Sequence, residues 1–268
     1  MGDKRGEIPV LKLGMDIADP NEPQPQIDDL TRKLYEDCLP KTVQITTDKG
    51  LGSGFFMDKD GRIGTAAHVI LGSREQFAVA SDGTRWKLQI EKIDDVNDAA
   101  ILKAVAFKSG SRPVAEIGKS SDLKPDQPIF PIGHPGGLRP AYISPGYFRK
   151  STTEQELFES QDPQAKDAIK DALTNLTPRE LPDVQAALSR DLLHGAVHIR
   201  PGDSGGPMFD ANGRVLGIND MITLPKDGSN IPSDGFFVPA EKIKALYDSQ
   251  DSKFDFTYNR LAAPWAQT

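Results

Sequence analysis

The sequence predicts an all-β protein, antiparallel barrels or a sandwich, with helices kept mainly to its edges. Three observations carry this. Apolar residues alternate with a period of two along roughly a dozen short segments. Glycine and proline, 24 and 21 residues, make up about 17% of the chain against a typical ~12%, without the period that collagen needs. Turn dipeptides, among them Asp82-Gly83 and Asn212-Gly213, separate the segments.

A chain of 268 residues is one large domain or two small ones, long enough to bury about 70–75% of its extended surface. Its 37% apolar and 26% charged residues are ordinary for a globular protein. A net charge of −7 without a Lys/Arg cluster argues against nucleic acid as a partner. The single cysteine, Cys38, excludes an internal disulfide. No apolar run approaches the length of a membrane-spanning helix. The first twenty residues lack an apolar core of the secretion-signal type. That favours a cytoplasmic protein unless a leader has been removed, and leaves periplasmic or secreted placement open.

Residues 1–26 read as a surface arm. In 27–38, Ile27, Leu30, Leu34 and Cys38 recur at helical spacing, and Pro40 stops the helix. The period then changes to two. Residues 42–49, 52–58 and 62–70 read as strands, the last two joined at Lys59-Asp60-Gly61. Further strands are expected at 75–81, 84–90, 100–104, 128–133 and near 143–149, then around 205–209, 215–219 and 235–239, with a helix at 240–248 and a tail at 250–268. The turn-rich, weakly patterned stretch 105–125 suggests a division into two β-units, roughly 40–110 and 125–240.

One segment departs from this pattern. Residues 147–194 contain no glycine, and 151–193 hold nine acids against four bases. Asp162-Pro163 reads as a helix N-cap and first-turn proline, and Thr177-Pro178-Arg179-Glu180 as a capping box, with Pro182 expected to distort the second helix. An acidic helical insertion at about 152–192 follows. It reads as an exposed decoration, a lid or regulatory element, or an assembly surface.

The chemistry-bearing segment is Pro201-Gly202-Asp203-Ser204-Gly205-Gly206-Pro207. Glycines around a serine permit a sharp turn and leave backbone N–H groups free to face a developing oxyanion. A serine nucleophile needs a base. Of four histidines, His68 lies among small residues at the end of a predicted strand, in Gly64-Thr65-Ala66-Ala67-His68-Val69. The base needs an orienting group. Asp98, entering the apolar run Ala99-Ala100-Ile101-Leu102, is preferred over Asp94 and Asp95. Neither a cysteine set nor a close His/carboxylate array points to a metal, and no cofactor is expected.

Four ordered blocks carry a resemblance. Gly52-Ser53-Gly54-Phe55, Thr65-Ala66-Ala67-His68-Val69, Asp98-Ala99-Ala100-Ile101-Leu102-Lys103 and Gly202-Asp203-Ser204-Gly205-Gly206-Pro207 resemble the signature blocks of chymotrypsin-fold serine proteases. Ile132-Gly133-His134-Pro135 and Gly217-Ile218-Asn219-Asp220-Met221-Ile222 are similar to the HtrA/DegP-like bacterial branch. The likeness covers 27–249 apart from the insertion. It implies two six-stranded antiparallel β-barrels with the site between them, to which the residue pattern adds an N-terminal helix, the helical insertion and a C-terminal helix. It implies His68 as general base, Asp98 as its orienter, Ser204 as nucleophile, and the N–H groups of Gly202 and Ser204 as the oxyanion hole. The implied activity is endopeptidase hydrolysis of polypeptide substrates through an acyl-enzyme. A protease-fold binding or scaffolding module with weak or no catalysis is the alternative.

The chain also departs from its apparent relatives. Secreted digestive members pair the acid beside the serine with a newly cut N-terminus, but no Ile-Val-Gly-Gly start occurs near residue 40, and HtrA-like members usually carry Asn there. Asp203 must therefore find another donor, stay in water or take up a proton. HtrA proteins usually continue into a PDZ domain, for which the residues after 248 leave no room. A substrate pocket is expected from Ile199, Arg200, Asp220, Met221, Ile222 and Phe236. Ile222 narrows it towards cleavage after small aliphatic residues, while His198 and Arg200 offer acidic specificity as a rival. Homo-oligomerisation is left open.

Overall fold

The computed structural model describes residues 28–161, 165–179, 181–223 and 234–250. The first helix, α1 (Asp29–Cys38), is capped by the Asp28 side chain, which accepts from Thr31 N–H at 2.8 Å. Leu34 and Cys38 are buried on its inner face, but Leu30 is exposed, and Thr31 and Tyr35 complete that face instead. Tyr35 Oη donates to Ala141 O at 2.8 Å, fastening the helix to the second half of the molecule. Pro40 lies in a 3₁₀ turn, Leu39–Lys41, that leads into the sheet.

Six strands close the first barrel: β1 (Thr42–Thr47), β2 (Leu51–Phe56), β3 (Arg62–Thr65), β4 (Gln76–Val79), β5 (Arg85–Asp94) and β6 (Ala99–Ala104). Their order is β1-β2-β3-β6-β5-β4, and β4 pairs back onto β1. The segment 62–70 is a strand only as far as Thr65. A helical turn, α2 (Ala67–Ile70), follows it, so His68 sits on that turn and not at the end of a strand. The cause is local. Asp98 draws the chain out of the ladder by accepting from Ala67 N–H through its carbonyl and from His68 N–H through Oδ1, at 3.2 and 2.8 Å.

After the crossing segment, β7 (Glu116–Ile117) lies parallel to a later strand of the second barrel. That barrel is formed by β8 (Pro128–Gly133), β10 (Gly146–Thr153), β11 (Asp191–Ala196), β12 (Pro207–Phe209), β13 (Arg214–Thr223) and β14 (Asp234–Pro239), with the short β9 (Tyr142–Ile143) beside β8. The order β10-β11-β14-β13-β12-β8 closes through pairing of β8 with β10. The chain thus forms two six-stranded antiparallel barrels, the chymotrypsin-like architecture. The last helix, α6 (Ala240–Asp248), returns to the first barrel.

The insertion between β10 and β11 is helical: α3 (Glu154–Gln161), α4 (Ala165–Thr174) and α5 (Leu181–Leu188). The expected cap at Asp162-Pro163 and Glu180 of the expected capping box lie outside the described residues. Pro182 is the second residue of α5, where its missing N–H has no intrahelical partner to lose, so α5 runs undistorted.

Each barrel has its own apolar core, and a third cluster joins them. It contains Phe55 and Ile101 from the first barrel, Phe130, Ile132, Phe209 and Ile218 from the second, and Leu34 and Ile243 from the flanking helices. This shared core fixes the distance between the loops of one barrel and those of the other.

Candidate active site

The site is built from loops of both barrels. Asp98 precedes β6 with φ of +50°, a left-handed conformation that aspartate tolerates better than most residues. Its two carboxylate oxygens divide their work. Oδ1 accepts from the His68 backbone N–H at 2.8 Å, and Oδ2 accepts from the ring Nδ1–H at 2.6 Å. This double grip fixes the imidazole's tautomer and orientation and leaves Nε2 as the free ring nitrogen. Asp98 is buried, while the His68 side chain keeps 45% of its surface exposed. Burial alone would favour neutral imidazole, but the charge and hydrogen bond of Asp98, with Asp220 nearby, raise the His68 pKa above its ordinary range. Burial would likewise raise Asp98, yet His68 and the hydrogen bonds it supplies hold that carboxyl well below the usual range.

Ser204 comes from the loop before β12. Its Oγ donates to Asp220 O at 3.4 Å, and among the described residues no hydrogen bond joins it to His68. Asp220 connects the two, because its Oδ1 lies 3.9 Å from His68 Nδ1. His68 and Asp98 are therefore brought into direct contact, and Ser204 is brought to the residue beside them.

The serine loop is held in a defined turn. Asp203 N–H donates to Arg200 O at 2.9 Å across Pro201-Gly202, and Gly202 has φ of +103°. Proline followed by a positive-φ glycine makes this a type II turn. Its central peptide is locked from the far side, with Pro201 O accepting from Gly136 N–H at 2.9 Å. Gly202 O accepts from Ser53 Oγ of β2 at 2.8 Å, and Ser53 Oγ accepts in turn from His134 N–H at 2.9 Å. Among the described residues, the N–H groups of Gly202 and Ser204 have no hydrogen-bond partner, the state an oxyanion site requires. Gly205, at φ +82°, passes so close to Thr65 and Ser53 that a Cβ there would collide with both.

Asp203 finds its donor within the same turn. Oδ2 accepts from Arg200 N–H at 3.0 Å, while Oδ1 is buried with no partner among the described residues. Burial pushes this carboxyl up to about 7 against the pull of that hydrogen bond. His134 is buried and held neutral, its pKa pushed down to about 3 by burial and the nearby Arg139 charge. His194 stacks on Phe236 and bonds Asp234 at 2.7 Å. His198 is exposed.

Of the expected pocket residues, Ile199 and Phe236 are buried and Arg200 is half-buried. The side chains of Met221 and Ile222 lie outside the described residues. Asp220 is placed differently from a pocket wall. It is the extra residue of a β-bulge in β13, between Asn219, paired with Phe237, and Met221, paired with Phe236. Such a bulge re-aims a side chain, and here the carboxylate turns into a buried charge cluster. Arg190 Nη2 lies 2.9 Å from Asp220 Oδ2, an ion pair not aligned as a hydrogen bond, and Arg190 Nε bonds the Glu154 carboxylate. Sequence reasoning passed over Arg190, Glu154 and Ser53. The only available signal was that Glu154 and Arg190 bracket the insertion. Donor atoms of His68, Asp98 and Asp220 lie within 4.8 Å of one another, a spacing a metal could use. Asp98 already engages His68 Nδ1, however, and Arg190 already supplies a cation to Asp220.

With this geometry established, the family described as "Trypsin-like peptidase domain" matches residues 52–218, well over half of the chain. The chain belongs to the trypsin-like peptidase family. The chain is closely related to the HtrA/DegP group. It is 29% identical over 239 residues to Protease Do-like 1, chloroplastic, of Arabidopsis thaliana, covering 83% of this chain and 48% of that protein. It is 32% identical over 176 residues to a probable periplasmic serine endoprotease DegP-like of Halomonas elongata, covering 65% and 30%. The chain thus spans about half or less of these relatives. Among solved structures, the HtrA-type protease AlgW shares the fold at a TM-score of 0.63 and 22% identity, covering 81% of this chain and 62% of AlgW. Rv3671c from M. tuberculosis H37Rv does so at 0.58 and 23%, covering 80% and 88%. Among the described residues, no helix is long and apolar enough to cross a membrane.

Proposed function

We propose that the chain is a serine endopeptidase in which Ser204 is the nucleophile, His68 the general base, Asp98 its orienter, and the Gly202 and Ser204 N–H groups the oxyanion hole. The observation that carries this reading is the double hydrogen bond of Asp98 to His68, through backbone N–H and ring Nδ1. That grip leaves Nε2 free to take the serine proton. Rotation of Ser204 Oγ away from the Asp220 carbonyl would free it for attack on a peptide carbonyl. The negative oxygen then meets the two unpaired N–H groups. His68 passes the proton to the leaving amine, and water hydrolyses the acyl-enzyme by the reverse sequence. The preferred cleavage site follows a small aliphatic residue, on the reading that Ile222 narrows a pocket otherwise lined by Ile199, Arg200, Met221 and Phe236.

The second reading is a catalytically weak binding module. It is favoured by the Ser204 hydroxyl, which faces the Asp220 carbonyl and not His68. A fluorophosphonate probe separates the two. An endopeptidase is labelled at Ser204, with labelling lost in Ser204→Ala and strongly slowed in His68→Ala; absence of labelling of the intact protein across pH 6–10 would refute the enzyme. Cleavage-site sequencing on a denatured-protein library then tests the aliphatic preference.

A further inference from the structure

The helical insertion and the His68–Asp98 pair are linked by buried charge. Glu154 opens the insertion directly after β10, and Arg190 closes it directly before β11. Their side chains, 6% and 7% exposed, form an ion pair, and Glu154 N–H also donates to Arg190 O at 3.2 Å. The same guanidinium reaches Asp220, whose side chain is only 4% exposed and whose other oxygen lies 3.9 Å from His68 Nδ1. Three carboxylates, Glu154, Asp98 and Asp220, thus share one poorly solvated region with one permanent cation and one imidazole.

Such a set cannot be fully ionised without compensation. Burial and the like charge of Asp98 work against the ionised form of Asp220, while Arg190 supports it. Glu154 is likewise raised by burial against the pull of Arg190. His68 senses both partners in opposite directions, since Asp220 favours its protonated ring and Arg190 opposes it.

We infer that Asp220 and Arg190 are positioning residues, a buried carboxylate–guanidinium pair that couples the base of the helical insertion to the His68–Asp98 dyad. Neither touches the reacting atoms with its charged group. Their effect is on which protonation state His68 adopts and on how the ring is held. The bulge in β13 is what aims Asp220 at this cluster, and the insertion supplies the balancing cation. Movement of the insertion's base that withdraws Arg190 would leave Asp220 uncompensated beside His68. The inference rests on the endopeptidase reading for its catalytic consequence, though not for the titration that tests it.

The test is the NMR titration of the His68 ring in the full chain, with the resonance assigned by its loss in His68→Ala. Asp220→Asn leaves the Glu154–Arg190 pair in place and should lower the His68 midpoint by about one pH unit. Arg190→Gln should raise it, and Arg190→Lys should return it towards the wild-type value. The acid limb of kcat/KM should move with the same signs, a response that mere loss of packing would not produce. A His68 midpoint unchanged by Asp220→Asn would overturn the inference, even if Arg190→Gln fails to fold. Fluorophosphonate labelling of the wild type decides the endopeptidase reading separately, because the titration is observed with or without turnover.

Discussion

Asp203 has one carboxylate oxygen bonded to Arg200 N–H and another buried with no partner among the described residues. An ordinary aspartate ionises near pH 4, whereas Asp203 holds its proton up to about 7 because of burial. Between those values the folded protein binds a proton that the unfolded chain has released. Stability therefore falls as pH rises through that window and stays lower above it. Asp203→Asn keeps an acceptor for Arg200 N–H and removes the charge. Its Tm should exceed that of wild type at pH 8, by roughly 2–4 °C per kcal/mol recovered, and match it at pH 4; calorimetry at the two pH values checks this. In the proposed mechanism, His68 has the opposite sense. It must lose its proton to act as a base, and Asp98 and Asp220 outweigh burial to raise its pKa to about 9. The expected kcat/KM climbs through neutral pH towards 9, and a plateau already reached at pH 7 would contradict the charge balance described here. Asp98→Asn removes the group that sets the tautomer and should cost on the order of 10⁴ in kcat with a small change in KM, read from steady-state peptide hydrolysis.

At the scale of the element, the serine loop is a type II turn in which the central peptide and the one after it are each clamped by a neighbouring element. Gly136 N–H holds Pro201 O, and Ser53 Oγ holds Gly202 O. The orientation of the Gly202 N–H follows from that clamp and from φ of +103°, which only glycine adopts freely. A Cβ at this position would strike His134 O and the Leu51 side chain. Gly202→Ala should therefore turn the amide away and lower kcat by about 10²–10³, with Ser204 still present to be titrated by a small phosphonylating reagent. Glycine here is a geometric requirement of the site, and the heptapeptide reveals it in advance. The bulge at Asp220 left a weaker trace: the polar pair Asn219-Asp220 before Met221-Ile222 breaks the alternation without saying which residue is extra or where its side chain turns.

In the whole molecule, the shared cluster between the barrels is what makes one site out of two halves. Phe55 from β2 packs fully buried with residues of the second barrel and the flanking helices. Phe55→Ala should cost about 3–5 kcal/mol, measured by urea denaturation, and should reduce turnover at temperatures where the mutant remains folded, since the His68 loop belongs to one barrel and the Ser204 loop to the other. The barrels themselves were foreshadowed by alternation and by turn dipeptides such as Asp82-Gly83, because strands and hairpins are specified by neighbours in the chain. Strong local chemistry likewise marked α1, α6, the acidic insertion, and the segments holding His68, Asp98 and Ser204. His68 was misplaced onto a strand because its backbone obeys Asp98, thirty residues away, and not its own neighbours. The same reason hid Ser53, whose hydroxyl reaches Gly202 across the barrel interface, and Arg190, whose partners lie on two other elements. What the chain encodes locally is the set of reactive groups and the turns that expose them. Which groups share buried space, and so which proton each one keeps, depends on charges brought together only by closure of both barrels, where low solvation makes every neighbouring charge count.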